Sequence, residues 1–551
     1  MKKLWLSIFL IGGALLLGCA LLVPAHFRAV DAAAVERAGR GSPGAATSTL
    51  VEEGVTFLSV EKLGPARMLL VAAQTEGVPR SELLAAGVAQ FTRDNPSLVA
   101  IGGAAPIAEK VDFGKDPTGT PKPIIDLLAR RTVREKVLEF LQQSRRPGVQ
   151  QILKNRSLTN TVHFPSASTS SGQALDAAIV TAALLYQGDY LTASFRDAFE
   201  WLSMRANRGD DPGSLELVYL DLLSIGRRMD WVSLTEFIKH VEDLGTLRDL
   251  AEATRAHEEA APQIFSAVVV SENPAGVAKY LSKFSQTGLA DVNFALRYGR
   301  GSVELLAKQQ QRIYYGGAFR KTVVGYNPFG AFFYGMAPSA VVSHVGALAI
   351  KYAFLLLATF CIARAIGTIT APLGHKFGLR LGGDSVFMLA LAFVIAIAAE
   401  PFLGLPSQVS PLPIKFEIPN LAAAAGIKVQ QVTPDVMNKL SLLSLIVFFA
   451  IQALIYVWCL TRLARIRREP VSVPMKLRLI ENEDLLFDAG LYVGFVGSVL
   501  SLILMSVGVG KISMMAYAST AFGIIFVSVL KIFHVRPLRR QLILESEAVP
   551  S

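Results

Sequence analysis

The chain has 551 residues, 52% of them hydrophobic and only 18% charged, against about a quarter charged in ordinary soluble domains; this excludes a wholly soluble globular protein. The formal net charge of +10 does not point to nucleic acid, because Lys and Arg cluster beside apolar runs, the pattern of the positive-inside rule. Cys19, Cys361 and Cys459 all lie in apolar runs with no paired spacing, which supports neither a disulfide framework nor a zinc site.

In chain order, residues 1–28 hold the first apolar run, Leu4 to Val23 behind Lys2 and Lys3, about the length a bilayer requires. It continues four residues past Cys19 with no clean A-x-A site. We read it as an uncleaved transmembrane anchor; the alternatives are a cleaved signal peptide and a lipoprotein-type leader at Leu17–Cys19.

Residues 29–335 are hydrophilic and read as an α-helical extracytoplasmic domain. Gly39 to Ser48 is linker-like in composition, and Phe113–Pro123 and His163–Gly172 are loops. Ile124 to Gln143 places Leu127, Leu128, Leu138 and Leu141 near one helix face, and Ala174 to Tyr186 is rich in the helix formers Ala and Leu. Beyond it, short helices are separated by Gly188, by Arg208–Gly213 and by Asp230. Ser233–Glu236, "SLTE", has the form of a capping box. Helices of this length joined by short turns predict a hairpin array, an architecture that mostly binds proteins.

No catalytic residue, cofactor or metal is assigned, and an enzyme is not expected. HExxH, GxSxG and GxxxxGK[ST] are all missing from the sequence, and with them the chemistry they carry. His163, His240 and His257 show no ligand spacing, and Ser171 reads as a helix N-cap rather than a nucleophile.

Five further apolar runs follow: Val345–Ile366, Ser385–Leu405, Leu440–Leu460, Ala489–Val509 and Ser513–Phe533. The expected fold is therefore all-α: a polytopic membrane protein with about six spans. Residues 336–406 form a transmembrane hairpin, 407–439 an extracytoplasmic loop, 440–542 a three-helix unit and 543–551 a tail. The Lys- and Arg-rich segments Gly374–Arg380, Arg462–Pro470, Lys476–Leu479 and His534–Arg540 fall on one side if both termini are cytoplasmic. The large domain is then periplasmic in a bacterial inner membrane.

Charges inside a span cost about 2.5–3.5 kcal/mol each on insertion scales, so Lys351 and Glu400 are informative. Antiparallel neighbours put them at similar depth, as an ion pair or as two side chains snorkelling to the outer surface. On the fifth span Gly490, Gly494, Gly497, Ser498 and Ser501 recur at steps of three and four, and such stripes let helices approach closely. The sixth carries Ala516, Ser519, Thr520 and Gly523. At 1.5 Å per residue, the Ser498 and Thr520 hydroxyls both fall near mid-membrane. They read either as packing groups bonded to the preceding turn or as an ion-path or partner-facing surface.

"GFVGSV" and "ASTAFGI" resemble the two helical signatures of the MotA/TolQ/ExbB proton-channel family, over roughly Leu440 to Leu542. The resemblance implies a homo-oligomeric ring around a partner helix, with Ser498 and Thr520 in the places of the family's hydroxyls. Two features depart from it. Met515 stands where TolQ and ExbB have a glutamate, and the cytoplasmic segment Arg462–Leu486 is short. A carboxylate would then come from a single-span partner with an intramembrane Asp. The expected function is an inner-membrane component of an envelope energy-transducing or transport complex, with lipid and periplasmic proteins as further partners. The alternatives are a non-conducting scaffold and a solute permease centred on Lys351 and Glu400.

Overall fold

Apolar periodicity governs what the chain builds. The structure, a computed structural model, describes residues 2–40, 48–111, 113, 120–158, 169–316, scattered positions within 322–337, and 343–370, 381–400, 434–506 and 518–547. The linker over 41–47, the loop positions 114–119 and 159–168 with His163, the expected loop within 401–433, Met515, Ala516 and the last four residues lie outside the described residues; so does the Ser501 side chain. The described chain is almost wholly helical, with two three-residue strands. It divides into two compact units, 30–315 and 1–29 with 316–551.

In the first of these, helices follow one another at short intervals. Leu50–Ser59 packs on Leu63–Thr75, Ser170–Gln187 on Pro212–Gly226, and Leu244–Ala256 on Pro274–Leu296. Leu127, Leu128, Leu138 and Leu141 are all buried, although their expected single helix is two, Ile124–Ala129 and Arg131–Gln142, broken where Arg130 turns extended.

Two caps differ from the sequence expectation. The helix Ser170–Gln187 is capped by Thr169, whose hydroxyl accepts from Gly172 N, so Ser171 lies inside it. The helix Trp231–Ile238 starts at Asp230, not at Ser233. The Asp230 carboxylate accepts both Ser233 N–H, at 2.9 Å, and Ser233 O–H, at 2.8 Å; an acidic side chain three residues upstream thus takes both donors of Ser233, the residue expected to be the cap.

The compact unit runs from Val30 to Tyr315. The short strands Ala29–Asp31 and Arg312–Tyr314 pair. The buried Asp291 carboxylate accepts from Tyr280 and Tyr315 hydroxyls, Arg312 Nε and Ile313 N. Burial, then the Asp291 charge, pushes both tyrosines up.

Asp230 gives this unit a pH dependence. Burial raises its carboxyl to about 6, against the bonds from Ser233 that favour the anion. An unfolded Asp titrates near 4, so the folded state binds the extra proton between those values. Stability from this group is therefore present below pH 4 and lost as pH rises through 6. The shift corresponds to about 3 kcal/mol at pH 7. Hydrogen exchange over Trp231–Ile238, corrected for intrinsic rates, is expected to show protection rising from pH 7 to pH 5 in the wild type. Asp230→Asn, which keeps an acceptor for Ser233 N, is expected to remove that rise.

In the other unit, four helices among the described residues are long and apolar enough to cross a membrane: Leu4–Leu22, His344–Ile366, Phe448–Arg468 and Ala518–Ser546. Their parent helices, with Leu381–Ala399 and Ala489–Ser506, supply the six apolar helices used below. These are the first (Lys2–Leu22), second (His344–Thr370), third (Leu381–Ala399), fourth (Pro434–Arg468), fifth (Ala489–Ser506) and sixth (Ala518–Leu530). The first packs along the second, and the second on the third; the fourth packs on the fifth and sixth. Phe449, Tyr456, Phe522 and Phe526 form an aromatic core between the fourth and sixth. The basic segment His534–Arg540 is helical: the chain leaves the sixth helix through a π turn, Lys531–Val535, into Arg536–Glu547.

Candidate functional site

Two polar clusters interrupt the apolar unit. The first forms where the second helix begins and the third ends. Lys351 Nζ lies 2.7 Å from Glu400 Oε1, and each residue is only 3% exposed, so neither reaches outward as snorkelling would require. The pair has further partners from the chain just after the first helix. Lys351 Nζ donates to Ala25 O at 2.8 Å and meets His26 Nδ1 at 3.0 Å. An ammonium has three protons, and here it finds three acceptors, which assigns His26 Nδ1 as an acceptor. Glu400 Oε2 accepts from Phe27 N at 2.7 Å, and Oε1 also accepts from the Tyr352 hydroxyl at 3.0 Å. The Phe27 and Tyr352 rings pack 5.2 Å apart. Two charges at this burial demand such full bonding, and the result fastens the end of the first helix to the second and third.

The second cluster lies in the C-terminal helices. Ser498 Oγ and Thr520 Oγ1 are 2.6 Å apart. Thr520 Oγ1 donates to Gly494 O at 3.2 Å, so Ser498 is the donor within the pair. Thr520 N also points to Ser498 Oγ, at 3.3 Å. The glycines make this approach possible. A Cβ on Gly494 would stand 2.7 Å from Ser519 O; on Gly497, 2.5 Å from Ser519 Oγ; on Gly523, 2.6 Å from Gly490 O. All three distances are shorter than carbon and oxygen tolerate without displacement.

The same glycines admit a residue the sequence reading missed. Gln452, on the fourth helix and 1% exposed, donates through Nε2 to Gly490 O at 2.9 Å. A Cβ on Gly494 would come within 3.2 Å of that nitrogen. The only sequence signal for it is a lone amide within the apolar run Leu440–Leu460. Nearer the basic segments, Tyr456 OH meets His534 Nε2 at 3.0 Å, and Lys531 pairs with Asp488 at 2.7 Å and Asp484 at 3.3 Å.

The small-residue face thus meets the chain's own fourth and sixth helices, not an outer surface: Ser498 is 5% and Ser519 1% exposed. The outward face of the fifth helix instead carries Tyr492, Phe495 and Val496. Among the described residues no group of three or more His, Cys, Asp and Glu is placed to hold a metal ion. Compared with protein-family models, curated proteins and solved structures, the chain matches none.

Proposed function

We propose that the protein is a six-span component of an envelope energy-transducing or transport complex in a bacterial inner membrane. Its last three helices act as a MotA/TolQ/ExbB-like unit, and residues 30–315 act as a periplasmic helical hairpin array that recruits proteins. The carrying observation is the Ser498–Thr520 hydroxyl pair, midway along the fifth helix and in the first turn of the sixth, in an interface cleared by glycines. Hydroxyls at that depth are costly to hold unless bonded, and a pair that can exchange bonds suits an ion or a moving partner helix. With Met515 in the place of the family's glutamate, a carboxylate comes from a single-span partner, and copies of the chain form a ring around it.

Purification from native membranes in mild detergent tests this. The expected result is an oligomer with a single-span protein bearing an intramembrane Asp; a monomer with no such companion overturns it. Ser498→Ala with Thr520→Ala is expected to abolish the cellular process at unchanged protein level.

One observation favours a second reading, a non-conducting scaffold: both polar clusters bond largely within the chain. Under it, the double alanine variant keeps full function and loses only stability.

A further inference from the structure

Gln452 carries a problem that its bond to Gly490 does not solve. Its amide has two faces. Nε2 must be the group at Gly490 O, because only the nitrogen donates. That leaves Oε1, which has less than 1 Å² accessible and no hydrogen-bond partner. Leaving a buried acceptor unmade costs about 1–3 kcal/mol, and in an apolar helix pair there is no lipid group to relieve it.

The space beside it has a shape. A Cβ on Gly490 would lie 3.0 Å from Gln452 Oε1, 3.1 Å from Val527 Cγ2 and 3.9 Å from Ile455 Cγ2. Those four residues, with Tyr456 and Phe526 among others, line a cavity of about 10 Å³. That is about the space one water molecule occupies, and a buried water is held by two to four polar partners. Here the Oε1 acceptor is at hand and Tyr456, whose hydroxyl oxygen can also accept, shares the lining, while Gly490 O is already taken by Gln452 Nε2 and by the N–H one helical turn on.

We propose that this cavity is a water-binding site, in which one water donates to Gln452 Oε1. Gly490 is glycine to leave room for that water, not only to let helices approach. The site carries the polar interior of the unit from the Ser498–Thr520 pair towards Tyr456 and its partner His534, where a π turn bends the backbone. Turns of this kind are frequent at functional sites. The proposal stands whether or not the unit conducts ions.

Millisecond hydroxyl-radical footprinting of the full chain in detergent tests it, with bulk water as the probe. A bound, exchanging water makes radicals in place, so the rings of Tyr456 and Phe526, 6% and 3% exposed, are expected to be labelled in the wild type. Gln452→Met removes the acceptor, and Gly490→Ala fills the space; each is expected to abolish that labelling. Exposed Trp201, 52% accessible in the other unit, sets the radical dose, and an unchanged thermal melt and elution volume in detergent show that the variants are folded. Unlabelled Tyr456 and Phe526 in the wild type would overturn the proposal. So would labelling that persists in a folded variant of either kind.

Discussion

Lys351→Met and Glu400→Gln are each expected to destabilise the detergent-solubilised protein by about 3–5 kcal/mol, the usual cost of stranding one member of a buried ion pair. In the methionine variant Glu400 keeps Phe27 N and the Tyr352 hydroxyl, with His26 Nδ1 3.9 Å away. In the glutamine variant the Lys351 ammonium keeps the Ala25 carbonyl, His26 and a neutral amide oxygen at 400 as acceptors but loses its opposite charge. Neither set neutralises a charge sealed in an apolar bundle. The double variant is expected to cost clearly less than the sum, because each single change leaves a charge that the second removes. Thermal melts of the four proteins provide the cycle. Additive losses would mean that the two side chains act independently, against the 2.7 Å contact.

The next largest effect is expected at the glycine face. Gly494→Val puts a branched side chain where even a Cβ would lie 2.7 Å from the Ser519 carbonyl. That neighbour is backbone and cannot rotate away, so the fifth and sixth helices must separate. Overpacking of this kind costs about 1–3 kcal/mol or more, and it also parts Ser498 from Thr520. Cysteines at 498 and 520 are expected to crosslink readily in the parent background and poorly beside Gly494→Val. Gly18→Val on the first helix is the control. A Cβ there meets nothing within 4 Å, and a change within about 0.5 kcal/mol is expected.

These two sites were legible to different degrees. The depth match of Lys351 with Glu400 followed from counting residues along antiparallel spans, and hydropathy alone located both helices. Residues 25–27 were not legible as partners: two of their three contributions come from the backbone of Ala25 and Phe27, which leaves no trace in residue type. The stripe of small residues was visible on the fifth and sixth helices, but not what it receives. Gln452 falls against Gly490 only because the fourth helix packs on that hairpin, and no periodicity within one helix states which neighbour it meets.

The caps failed for a related reason. Ser233–Glu236 satisfied a local pattern, while Asp230 satisfied a better one by taking both donors of Ser233. Similarly, the charges of His534–Arg540 carry no helix signal of their own, and the buried Leu538 and Leu542 hold the segment helical.

The central claim is that the hydroxyl pair belongs to a working ion path in an assembled complex. Ion flux into liposomes under an imposed potential, measured on the complex as purified from native membranes, tests it most directly. A flux that is present in the wild type and lost with Ser498→Ala and Thr520→Ala is the expected result. A complex that assembles but carries no flux, or one whose flux survives both substitutions, would contradict the account.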